Sequence, residues 1–99
     1  MGRIYEIKIT RQAFEQLAEI RDYIAHELLA PESAEQLMET FRREIASLNE
    51  FPGRIPLTEE EPWRSEGIHR MPVRNFLVYF WIDELHDKVQ DHRRRIQKA

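Results

Sequence analysis

Ile68-His69-Arg70-Met71-Pro72-Val73 and Phe76-Leu77-Val78-Tyr79-Phe80-Trp81-Ile82 are two strand-like runs separated only by Arg74-Asn75. β-branched and aromatic residues dominate both, and a two-residue gap is the length of a hairpin turn, although arginine is a poor choice for a position with positive φ. Pro72 cannot donate a ladder hydrogen bond, so the first run belongs at an edge or a strand end. The second run is apolar throughout, which suits a central strand covered on both faces. The sequence is therefore read as building its core around an antiparallel hairpin.

Working towards the N-terminus, residues 54–67, with Glu59-Glu60-Glu61-Pro62, read as a loop. Before it, Ala34, Leu37, Met38, Phe41, Ile45 and Leu48 recur at helical spacing, behind Pro31 and Glu32, which favour a helix start. Phe51-Pro52-Gly53 ends that helix. An earlier helix is expected from Phe14, Leu17, Ile20, Ile24 and Leu28, capped by Thr10 and interrupted at Ala30-Pro31. Two helices joined by so short a break predict an antiparallel helical hairpin. The alternation of Tyr5, Ile7 and Ile9 with Glu6 and Lys8 predicts a first strand. The expected fold is α+β: an N-terminal strand, a helical hairpin, then a β-hairpin completing a small antiparallel sheet with the helices on one face.

Composition narrows the function classes. The 99 residues carry Lys+Arg 15 against Asp+Glu 18, a net charge of −3, and no cysteine. This excludes a histone-like polycation, thiol chemistry and cysteine-type zinc sites, and points to a cytoplasmic protein. The longest apolar run, Phe76 to Ile82, is far short of the ~20 residues that span a bilayer, so no membrane partner is expected. Charge is unevenly spread: residues 1–62 hold 13 acids and 7 bases, whereas residues 63–99 hold 8 bases and 5 acids. A polyanion or an acidic partner would meet the second part, unless the acids are simply solvated helix faces.

Several segments together resemble the RelE/ParE family of bacterial toxins. They are Tyr5-Glu6-Ile7-Lys8-Ile9-Thr10, Asp22-Tyr23-Ile24, Pro31-Glu32-Ser33-Ala34, Leu48-Asn49-Glu50-Phe51-Pro52-Gly53, and above all Gly67 to Phe80 with its Arg70-Met71-Pro72-Val73-Arg74-Asn75-Phe76 centre. The resemblance covers residues 4 to about 90 and implies one toxin domain over residues 1–99. It implies the toxic half of a type II toxin–antitoxin module, associated with plasmid stabilisation and growth inhibition, and neutralised by a cognate antitoxin. RelE-like members cut messenger RNA in the ribosomal A site, without metal or cofactor, using basic residues and often a C-terminal tyrosine. ParE-like members poison DNA gyrase and are not enzymes. A non-toxic α+β interaction module is the remaining alternative.

The tail departs from the family pattern. Asp91-His92-Arg93-Arg94-Arg95-Ile96-Gln97-Lys98 shows no strand alternation, while Leu85, Val89 and Ile96 share a helical face. The last family strand is accordingly expected to be missing or replaced by a helix. A frameshift would account for this, since a codon choice exists that encodes these residues and, two nucleotides out of frame, reads as an alternating strand ending in tyrosine. Loss of that strand would weaken or abolish toxicity and uncover a sheet edge, which a homodimer could cover.

The candidate catalytic residues are His69, Arg70 and Arg74: an imidazole for proton transfer and two guanidinium groups for a phosphate and its transition-state charge. Arg54 and Arg64 join Arg70 and Arg74 as candidate target or nucleic-acid contacts. Each arginine could equally be a surface residue beside Glu59, Glu60, Glu61 and Glu66. His86 and His92 are further titratable groups, but no histidine pair has the i, i+4 spacing of a metal site. Asp83-Glu84 reads as turn chemistry. Trp63 and Trp81 are candidate partner-binding anchors, with Trp81 alternatively in the core.

Overall fold

The computed structural model describes residues 2–99. Strand β1 (Glu6–Lys8) leads into helix α1 (Arg11–Asp22), whose N-terminus Thr10 caps by accepting from the Ala13 amide at 3.2 Å. A π-helical turn, Tyr23–Glu27, then widens the chain before helix α2 (Pro31–Ala46) returns, starting on its proline as expected. Strands β2 (His69–Val73), β3 (Phe76–Asp83) and β4 (Lys88–Lys98) complete the chain. Among the described residues no helix is long and apolar enough to cross a membrane.

The sheet order is β1-β4-β3-β2. The β2–β3 hairpin pairs as expected, His69 opposite Phe80 and Val73 opposite Phe76, with Arg74 in the turn at φ +56. The tail corrects the sequence reading: it is neither missing nor a helix but the longest strand. β4 runs antiparallel to β3 on one side and parallel to β1 on the other, so the sheet is mixed rather than wholly antiparallel. The reason is a bulge. Val78 faces Ile96 and Phe80 faces Asp91, so Tyr79 stands opposite the four residues His92 to Arg95, with Arg95 at φ +46. The core-facing residues Val89 and Ile96 thereby fall seven apart, two helical turns, mimicking helical periodicity within a strand, while His92 is buried with its ring 6.4 Å from that of Trp63. The premise of a frameshift, a lost strand, is removed, and the β3 edge that argued for dimerisation is taken by β4.

Residues opposite one another across the strands share a face. On one face Met71, Val73, Val78, Phe80, Val89 and Ile96 meet Phe41 and Leu48 from the second helical segment, forming the core. Phe41 lies 5.6 Å from Phe76, ring to ring. Leu17, Ile20, Leu37, Met38 and Ile45 close the layer from the helices. Phe14 and Leu28 depart from the expected stripe, at 59% and 56% exposed, because the π turn rotates the end of the first helical segment and the α1–β1 side has no third layer.

Two side chains fasten the bulged strand to α1. Asp91 accepts from both the amide and the hydroxyl of Thr10, each at 2.9 Å, and pairs with Arg95 at 3.6 Å. Gln16 imitates a neighbouring strand: its amide donates to the Ile96 carbonyl and its Oε1 accepts from the Ile96 amide at 3.2 Å. Asp91→Ala is expected to lower stability by about 2 kcal/mol in urea melts, since it removes charge-assisted bonds from a nearly buried acceptor. Asp91→Asn should recover part of that loss.

Candidate functional site

The face of the sheet away from the helices carries Arg70, Tyr79, Trp81 and Gln90, and residues 56–67 fold across part of it. The loop is tied down at Thr58, whose amide donates to Ile68 at 2.8 Å, and at Arg70, whose amide donates to Pro56 at 3.2 Å. Between these ties and the bulge lies a connected polar cluster. Tyr79 is 1% exposed, and its neighbour across the hairpin is Arg70. The guanidinium of Arg94, delivered by the bulge, sits 4.3 Å from the Trp63 ring and 5.1 Å from the Tyr79 ring. Glu60 closes the arrangement: one oxygen accepts from Arg94 at 3.0 Å, the other from the Tyr79 hydroxyl at 3.3 Å.

The electrostatics follow from these contacts. The hydrogen bond from Arg94 holds the Glu60 carboxyl below its ordinary value, with Tyr79 and Thr58 adding to the effect against some desolvation. Burial, reinforced by Arg93, pushes the His92 imidazole down, so it is mainly neutral at pH 7, and its Nδ1 accepts from the Arg94 amide at 3.3 Å. A carboxyl depressed in the folded state stabilises it above the unfolded pKa and loses that contribution as pH falls through the folded one. Carbon-detected NMR titration should therefore place the Glu60 midpoint below the usual carboxylate value, and Arg94→Gln should move it back up.

The residues expected from the sequence are placed separately. His69 is on the helix side of β2, its ring stacked on Phe80 at 5.1 Å and its Nδ1 2.7 Å from the Ile55 carbonyl oxygen, to which it donates. Arg70 lies on the opposite face, beside Tyr79. Arg74 is in the exposed hairpin turn, about 13 Å further along from Arg70 at strand rise. Arg54 spends its guanidinium on the end of the second helical segment, donating to the carbonyls of Glu50 and Phe51 at 3.0 and 3.1 Å and to the Ser47 hydroxyl at 2.9 Å. Arg64 is exposed at the loop, reaching the Thr58 carbonyl at 3.5 Å. Trp63 packs on Arg94, and Trp81 is half-buried opposite Gln90. Asp83 does turn chemistry, accepting from the His86 amide at 3.2 Å and pairing with its ring at 2.8 Å. Thus Trp63, Arg64 and Arg70 belong to the loop-covered region, whereas His69, Arg74 and Arg54 do not. The sequence alone assigns no site role to Tyr79 or Glu60, and it reads the run Arg93-Arg94-Arg95, a possible nucleic-acid contact, as accidental tail charge; an arginine run opposite a strand tyrosine is the available signal.

A second surface feature is an apolar groove of about 560 Å³ between β1, α1 and α2, lined by Ile7, Ile9, Phe14, Leu17, Met38 and Ile45 and edged by Lys8 and Arg42.

The family model described as ParE toxin of type II toxin-antitoxin system, parDE, matches residues 7–97. No curated protein matches the chain significantly. Among solved structures, the chain is similar to one from the chromosomal ParDE toxin–antitoxin system of P. aeruginosa, with TM-score 0.75, 20% identity and 97% of each chain covered. It is also similar to one from the toxin–antitoxin complex RelBE2 of Mycobacterium tuberculosis, with TM-score 0.62 and 16% identity, covering 98% of this chain and 93% of that one. At these identities the structural likeness speaks for the fold.

Proposed function

Because the chain belongs to the ParE toxin family of type II toxin–antitoxin systems, we propose that residues 1–99 form one toxin domain that arrests growth by poisoning DNA gyrase in the cytoplasm and is neutralised by a cognate antitoxin. The observation that carries the choice of target is the match of the ParE family model over residues 7–97, and the dispersal of His69, Arg70 and Arg74 supports it. A ribonuclease of this fold needs a proton acceptor and phosphate-binding cations converging within a few ångströms of one scissile bond. Here the imidazole and Arg70 lie on opposite faces of the sheet and Arg74 is a strand length away. A poison that works by binding needs no such convergence. The apolar groove, with Phe14 largely exposed and Lys8 and Arg42 at its margin, is the surface we assign to the antitoxin, as an amphipathic segment with acidic flanks.

The experiment pairs a gyrase supercoiling assay with primer extension on messenger RNA in a translation reaction. The expected result is lost supercoiling without A-site cuts, and growth arrest on expression that the co-expressed antitoxin relieves. A-site cleavage with supercoiling intact would assign the ribosome-dependent endoribonuclease instead, and unaffected growth would assign a non-toxic module. With β4 in place, the expectation of weakened activity loses the physical ground it rested on.

A further inference from the structure

Three features of the loop-covered face point the same way. First, Arg94 stacks within 4.3 Å of the Trp63 ring and 5.1 Å of the Tyr79 ring; its Nη2 donates to Gln97 Oε1 at 3.3 Å, and its Nη1 donates to Glu60, the same carboxylate that accepts from the Tyr79 hydroxyl. Second, Glu60 itself is loosely housed, its side chain 42% exposed, on the loop segment 59–66, in which every residue but Trp63 is exposed. Third, the Trp63 indole N–H, on the ring that covers Arg94, is the single buried side-chain polar atom without a hydrogen-bond partner among the described residues. A buried donor with no acceptor is costly, and a carboxylate that uses both oxygens on Arg94 and Tyr79 does not relieve it. A tetrahedral phosphodiester, which carries the charge of a carboxylate and adds two ester oxygens outside the plane of its two non-bridging ones, offers such an acceptor.

We propose that Arg94, Tyr79 and Trp63 form a phosphate site whose occupant in the free chain is the chain's own Glu60, which a nucleic-acid phosphodiester displaces on binding. Glu60 is an internal stand-in for the ligand: it keeps the arginine paired and the loop shut when no polyanion is present, and its release opens residues 59–66. Arg70 beside Tyr79, with Arg64 and Arg93 exposed nearby in sequence, supplies further positive charge along a backbone. This goes beyond the reading of the target, because it concerns nucleic acid met directly.

The test uses the purified full chain with labelled short duplex DNA and, separately, single-stranded RNA, without gyrase or ribosomes. Glu60→Gln is nearly isosteric at an exposed position, and Glu60→Ala serves as a second version should the amide find new partners. Either is expected to bind about tenfold tighter than wild type, the scale of one competing charge-assisted bond removed. The salt dependence should steepen by about one phosphate contact. Adding Arg94→Gln should return binding to the wild-type level, and the Trp63 indole N–H resonance should shift on binding in the Glu60 variant. The nucleic acid that shows the gain identifies the source of the phosphate. Binding by both Glu60 variants within about twofold of wild type on both nucleic acids, or a gain that survives loss of Arg94, would overturn the proposal.

Discussion

Phe41→Ala is expected to destabilise the protein by about 3–5 kcal/mol, which for a domain of this size approaches the whole of its stability. Phe41 is 1% exposed and is the point at which α2 meets the sheet: its ring lies against Phe76, within the cluster of Met71, Val73, Val78, Phe80, Val89 and Ile96. The removed ring leaves a cavity that strands on one side and a helix on the other cannot collapse into without losing register. Urea unfolding followed by circular dichroism should show the midpoint shifted to low denaturant with the slope retained. Phe41→Leu, which keeps most of the volume, should cost roughly a third as much. Equal effects from the two variants would mean that Phe41 is not a packing anchor.

Ending the chain after Gln90 is expected to abolish cooperative unfolding altogether. Only the first residues of β4 would survive, and the losses are of several kinds at once. β3 loses the partners of Phe76, Leu77, Val78 and Phe80; the core loses Ile96; α1 loses the Asp91 and Gln16 fastenings at its first turns. β3 is left with an open ladder along more than half of its length, a recipe for association between chains, while β1 keeps its partners Lys88 to Gln90. Ile96→Asp is the single-residue version: an unpaired charge at a 4% exposed site, with a cost of about 3 kcal/mol or more. A sigmoidal melt from the shortened chain, with near-ultraviolet dichroism intact, would show that β4 is dispensable to the sheet.

What could be read in advance, and what could not, divides along one line. The β2–β3 hairpin and α2 were legible because local periodicity and local packing agree: Met71, Val73, Val78 and Phe80 alternate inward, and Ala34, Phe41 and Leu48 fall on one helical face. β4 was not, because the four residues His92 to Arg95 loop out opposite Tyr79, and period two is lost where a bulge is inserted. The parallel pairing of β1 could not be foreseen without β4, since it needs a partner from the far end of the chain. The same bulge hid the site. Arg94 reads as one of three consecutive arginines, yet it alone is stacked on Trp63 and Tyr79, while Arg95 turns to Asp91 and Thr10. Only the tertiary register distinguishes them. Arg74 was foreseen at a turn position unfavourable for arginine, and its φ of +56 bears out that tension.

The pairing of Glu6 with Lys88 means that β1 must wait for a partner some eighty positions downstream. Such long-range closure is entropically expensive and comes late, so folding belongs to the slow, millisecond-to-second class rather than that of helical bundles. Until β4 docks between its neighbours, the apolar side of β3 and the faces of both helices stand open together. A binding chain present in that interval would meet a wider hydrophobic target than the finished protein offers, so the order of encounter, as well as affinity, would govern whether the two become locked together.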